Sequence, residues 1–129
     1  MNNDQNDLVD FRLAKANEAF ELAKLAIEND FWSSAASELY YSCFYCLTAL
    51  FAKNGIRTHT HSGVKATVAT LFIKEGKLEA KWGKFFANLL DKRQKGDYGD
   101  FVILTSEEIL PLVKEVEEFR EVILKLINQ

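Results

Sequence analysis

The sequence predicts an all-α fold of about five helices. Three observations carry that reading. Apolar residues recur at steps of three and four along most of the chain. One proline and six glycines interrupt 129 residues, which favours long helices over a strand-rich fold. Turn and cap residues fall between the periodic stretches. With 48% apolar residues the chain can bury a core without disulfides or a structural metal. Its length is that of a single domain spanning residues 1–129.

The first helix is expected over residues 8–28, where Val9, Leu13, Ala16, Phe20, Ala23 and Ile27 form one stripe. Asn29-Asp30 breaks it. The second, over residues 31–53, is apolar on several faces through Trp32, Leu39, Tyr40, Phe44, Leu47 and Phe51. A helix of that kind is central and buried. Ser33, Ser34, Ala35, Ala36 and Ser37 would let a neighbour approach closely. Gly55 after Asn54 is its stop signal. Ser62 is the expected N-cap of a third helix ending near Gly76. The fourth, residues 78–92, sets Leu78, Trp82, Phe85, Phe86 and Leu89 on one face and Lys77, Lys81, Lys84 and Lys92 on another. Residues 96–100 read as a loop, and 101–104 as a short packed apolar segment. Thr105 with Glu108 matches a capping box for the last helix. Its seam is Ile109, Leu112, Val116, Phe119, Ile123 and Leu126, with Pro111 expected to kink it or delay its start.

Charge is unevenly spread. Residues 1–52 carry net −5, residues 53–95 net +7 and residues 96–129 net −5, for a total of −3. A basic middle can attract phosphate, or can pair with the acidic ends inside a bundle or dimer; charge alone does not separate the two. The polar, acidic first ten residues read as no leader, and no apolar run suits a membrane span. Two cysteines in such a chain point to a reducing, cytoplasmic setting.

Few residues qualify for chemistry. Cys43 and Cys46 spell CxxC, but on an apolar helix with no second pair they read as buried structural thiols. His59 and His61 lack a carboxylate or cysteine to complete a metal set, so no metal and no cofactor are expected. Thr58, Thr60 and Ser62 place hydroxyls at a helix start, where phosphate is favoured. Arg93 follows Leu89 by four residues, which aims it along the apolar face and away from the lysines. It needs a partner there. Asp97 as an ion-pair partner, or a bound phosphate, would serve equally. Tyr98 can be an aromatic that closes the bundle, or a hydroxyl positioned for phosphate.

Taken in order, Ala35-Ala36, Tyr40-Tyr41, Leu50, Gly55, Thr60-His61-Ser62-Gly63 and Arg93 with Asp97-Tyr98 resemble the HEPN domain family, in its small stand-alone prokaryotic form. The resemblance implies an up-and-down helical bundle and a homodimer. It also implies a toxin role beside a minimal nucleotidyltransferase antitoxin, with nucleotide or RNA as ligand. Active members of that family are metal-independent ribonucleases. Their motif is an arginine followed, after four to six residues, by a histidine, and two copies face each other across the dimer. Arg93 matches the arginine. Tyr98, Gly99 and Asp100 fill the histidine window, and none is histidine. The candidate site is therefore Arg93, Asp97, Tyr98, His61 and Thr60, with Arg93 the catalytic candidate. The function expected is a HEPN toxin that binds nucleotide or RNA. The alternatives are an RNA endonuclease with a nonstandard active site and a non-catalytic dimeric adaptor.

Overall fold

The computed structural model describes residues 3–58 and 60–129. Among them lie five α-helices and no strand: α1 (Asn3–Glu28), α2 (Trp32–Lys53), α3 (His61–Thr67), α4 (Ala80–Tyr98) and α5 (Ser106–Ile127). A π-helical turn, Val68–Ile73, continues α3. The expected all-α class is the one observed.

α2 is the central element, packed against α1, α4 and α5. Its buried side chains lie on several faces, from Ala35, Leu39 and Tyr40 through Cys43, Leu47, Leu50 and Phe51, as its apolar composition requires. The α1–α2 hairpin closes at Asp30, which adopts φ 59°. There the amide of Phe31 reaches the carbonyl of Ala26 at 2.8 Å. α2 stops in the same way. Gly55 takes φ 70° and the amide of Ile56 returns to the carbonyl of Phe51 at 2.9 Å, the closure that a left-handed residue permits.

Besides α1, which starts at Asn3 rather than at residue 8, three readings differ from expectation. The N-cap of α3 is Thr60, not Ser62. Thr60 is extended and its hydroxyl accepts the Gly63 N–H at 2.9 Å, whereas Ser62 is already helical and cannot serve as a cap. α4 runs through residues 96–98, where a loop was expected. Gly96 does not terminate it: a Cβ there would stand 2.9 Å from Leu104 Cδ1 and 3.3 Å from the Ser33 side chain. The glycine lets the end of α4 lie against the start of α2. Third, the 101–104 segment is packed through Leu104 alone. Phe101, at φ 61°, and Ile103 point outward, with Ile103 84% exposed.

α5 carries the expected capping interaction, the Glu108 carboxylate accepting the Thr105 N–H at 2.9 Å. Of its expected seam, Ile109, Leu112, Val116, Phe119 and Ile123 are buried, while Leu126 is only half-buried and Ile127 takes the buried place at the end. Pro111 neither delays nor splits the helix. It sits in the second turn on an exposed face, so the missing amide leaves one carbonyl to water. No described helix is long and apolar enough to cross a membrane.

Candidate functional site

Where α2, α3 and α4 meet, a polar cluster interrupts the core. α2 contributes Tyr40 and Tyr41, α3 its first residue His61, and α4 Arg93 and Asp97. Tyr40 is fully buried and its ring stacks on Phe86 with centroids 5.2 Å apart. That packing fixes its hydroxyl, which meets His61 Nδ1 at 2.7 Å. The His61 ring also lies against Phe44, 5.3 Å between centroids.

Arg93 arrives from the other side. Its guanidinium lies over the Tyr41 ring at 5.0 Å and the Tyr40 ring at 5.7 Å. Both are within cation–π range. The side chain is 12% exposed, and Asp97 Oδ2 stands 3.7 Å from its Nε. That separation allows an ion pair but not a hydrogen bond. Nε is buried and carries no hydrogen bond among the described residues. A buried donor left in this way calls for an explanation; within the cluster the nearby opposite charge is Asp97, 3.7 Å away.

Burial holds the His61 imidazole below its ordinary value of 6.5, and the nearby positive charge of Arg93 adds to the effect. Burial raises the Tyr40 phenol above its ordinary value, with Arg93 opposing. Near neutral pH both groups are therefore uncharged. One ring nitrogen of His61 is tied to Tyr40. If Nδ1 donates, Nε2 is free to accept a proton; if the phenol donates, Nε2–H is free to bind an anion. The arrangement offers a permanent positive charge and a neutral imidazole next to one another.

The structure thus brings Arg93, Asp97 and His61 together. Thr60 is next in the chain to His61, but its hydroxyl is engaged as the α3 cap. Tyr98 ends α4 73% exposed. It follows Arg93 by five residues, about 140° around the helix, while Asp97 at four remains on the Arg93 side. His59 lies outside the described residues. Site chemistry for the two tyrosines was not foreseen beyond their part in the family pattern. A signal existed: a phenol buried on a largely apolar helix needs a polar partner, and for Tyr40 that partner is His61.

Cys43 and Cys46 are both free and buried. Burial pushes Cys46 up to about 12 and Cys43 well above its ordinary value. Neither is a thiolate at neutral pH, so neither is poised for redox chemistry. Among the described residues no three metal-ligating side chains cluster.

Fold and cluster define a class: an all-helical protein whose candidate chemistry is an arginine and a histidine drawn from separate helices. The HEPN domain model matches residues 9–127, and the chain belongs to the HEPN family. It is similar to a UPF0332 protein of Thermotoga maritima, 33% identical over 126 residues, which are 98% of this chain and 96% of that protein. Two proteins of Methanocaldococcus jannaschii, each named "Putative toxin", are also similar. One is 31% identical over 96 residues, 74% of this chain and 65% of its own length. The other is 26% identical over 129 residues, all of this chain and 96% of its own.

Proposed function

We propose that this chain binds the phosphate of a nucleotide or RNA at the Arg93–His61 cluster and acts as the toxin of a toxin–antitoxin pair. The observation that carries the reading is the buried Arg93 guanidinium with an unbonded Nε beside a neutral His61. Phosphate satisfies both: it accepts a charge-assisted bond from Arg93 and a hydrogen bond from His61 Nε2–H. Membership of the HEPN family and the two relatives named as toxins support the toxin role. The antitoxin is proposed to be a minimal nucleotidyltransferase, and the chain to act as a homodimer in the cytoplasm. Two measurements test the reading. Titration with RNA oligonucleotides and nucleotides should give saturable binding that Arg93→Ala weakens tenfold or more. Growth arrest on expression should be relieved by the same substitution. Binding and arrest both indifferent to Arg93→Ala would remove the site.

A second reading, metal-independent RNA cleavage, is favoured by one feature. Tyr40 holds His61 beside Arg93, so an imidazole is present although the motif position after Arg93 lacks one. With Nδ1–H donating to Tyr40, His61 Nε2 would take the proton of the 2′-hydroxyl as its oxygen attacks phosphorus, and Arg93 would stabilise the charged phosphorane. The P–O5′ bond would then break to leave a 2′,3′-cyclic phosphate, the departing 5′-oxygen taking up a proton from the imidazolium or water. Cleavage in the presence of a chelator, lost in both His61→Ala and Arg93→Ala, tests it. Binding that survives without cleavage leaves the first reading standing alone.

A further inference from the structure

The outer face of α1 carries a row of side chains that the fold leaves uncovered. Leu8 is 40% exposed, Phe11 60%, Leu22 42% and Leu25 54%. Half-buried Lys15 and exposed Glu18 lie in the same row. Scattered apolar residues on a surface need no explanation. These are not scattered: positions 8, 11, 15, 18, 22 and 25 alternate steps of three and four, the seam spacing of a helix that packs lengthwise against another.

The row is also its own complement. Its centre falls between Lys15 and Glu18. Rotation by half a turn about that point sets Leu8 against Leu25, Phe11 against Leu22, and Lys15 against Glu18. An isologous contact needs this self-complementarity, because each residue must suit its counterpart in both directions. A parallel pairing would set Lys15 on Lys15 and Glu18 on Glu18, which like charges oppose. The row extends for about 26 Å at 1.5 Å per residue. Tyr41 and Tyr45 of α2 widen it, lining the groove that Lys15, Glu18, Leu22 and Glu38 also border.

From this row we infer that two copies of the chain associate through antiparallel α1 helices, with the twofold axis between Lys15 and Glu18. The inference rests on the homodimer reading above and adds its face and register. It has a consequence for the site. Tyr41 borders the groove and carries the Arg93 guanidinium on its ring, so each Arg93 cluster adjoins the dimer contact.

The test is a charge exchange read by sedimentation or light scattering at several protein concentrations. Lys15→Glu places two carboxylates opposite each other, twice per dimer, and Glu18→Lys does the same with two ammoniums. Each should raise the dimer dissociation constant about tenfold or more. The double variant Lys15→Glu/Glu18→Lys should restore it. A purely local loss of structure would not be restored, and helicity by circular dichroism should stay unchanged throughout. Phe11→Cys combined with Leu22→Cys should form a cross-link between copies. Within one helix those positions lie about 16 Å apart, beyond disulfide reach. Phe101→Ser with Ile103→Ser, on the other exposed apolar segment, should leave the dimer intact. A monomeric parent protein would overturn both this inference and the homodimer reading. A dimer insensitive to the charge exchange, or broken by the Phe101/Ile103 substitutions instead, would overturn the α1 face and leave the homodimer reading in place.

Discussion

A guanidinium at 12% exposure with an unbonded Nε is stabilised by two tyrosine faces and a long ion pair. Replacing it with lysine would keep the charge and lose the planar stacking and the fork of donors. Arg93→Lys should therefore bind RNA or nucleotide nearly as weakly as Arg93→Ala, by direct titration. His61 makes a separate prediction from its lowered folded-state value. The unfolded chain takes up a proton there more readily than the folded one. The contribution of neutral His61 is thus complete above its ordinary value of 6.5 and is lost as pH falls through the folded-state value below it. Melting temperature should drop between pH 7 and pH 5 more steeply in the parent than in His61→Gln, measured side by side; parallel profiles would show that His61 titrates as in the unfolded chain. At Tyr98, exposure leaves the ring with little packing to lose. Tyr98→Phe should leave the melting temperature within about a degree, as surface changes generally do. A companion Tyr98→His that creates RNA cleavage would show that this position can approach the Arg93 site despite its place in the turn.

At the scale of single helices, α4 shows how a packing contact outweighs a local signal. Gly96 is a weak helix former, yet α4 continues through it, and its missing side chain lets Leu104 and Ser33 lie against the helix. Gly96→Ala sets a gain in helix propensity of about 1 kcal/mol against a contact that Leu104, a flexible side chain, can partly relieve. Gly96→Leu adds bulk that Ser33 cannot escape, and should destabilise by roughly 2 kcal/mol. Urea denaturation of both variants measures the difference. If leucine were tolerated like alanine, the α2–α4 approach would be looser than the structure shows. Asp97 shares this turn, so Gly96→Leu should also disturb the Arg93–Asp97 pair and change ligand binding along with stability.

At the scale of the whole molecule, the lysines of α4 do not share a face with the Arg93 cluster. Lys84 precedes Arg93 by nine residues, half a turn around α4, so the lysine stripe lies away from the cluster. Lys81 lies over the Trp82 ring at 4.9 Å and Lys92 approaches Glu108 at 4.0 Å. Binding through one buried arginine should therefore depend weakly on salt. The slope of log affinity against log salt for a single-stranded oligonucleotide should be near that of one phosphate, about −0.7. Lys84→Ala should leave it unchanged. A slope several times steeper, reduced by Lys84→Ala, would bring the lysine stripe into the interface and make the basic middle of the chain a nucleic-acid track.

Local patterns determined the helices. The stripes of α1 and α5, the apolar circumference of α2, the stop at Gly55 and the Thr105–Glu108 cap were legible because each depends on residues within a turn or two of one another. The aim of Arg93 along the apolar side of α4 followed from the same periodicity. The tertiary structure decided what distance along the chain conceals. Tyr40 and His61 are 21 positions apart and meet because α3 packs against both α2 and α4. Thr60 displaced Ser62 as a cap because its own backbone is extended and its hydroxyl reaches the Gly63 N–H. Gly96 lies inside α4 with little room for a side chain because Ser33, 63 positions away, lies against it. Phe101 and Ile103 were left exposed because the bundle core closes over Leu104. Periodicity records which face of a helix is apolar, but not which neighbour will cover it; that depends on how all the helices share one core.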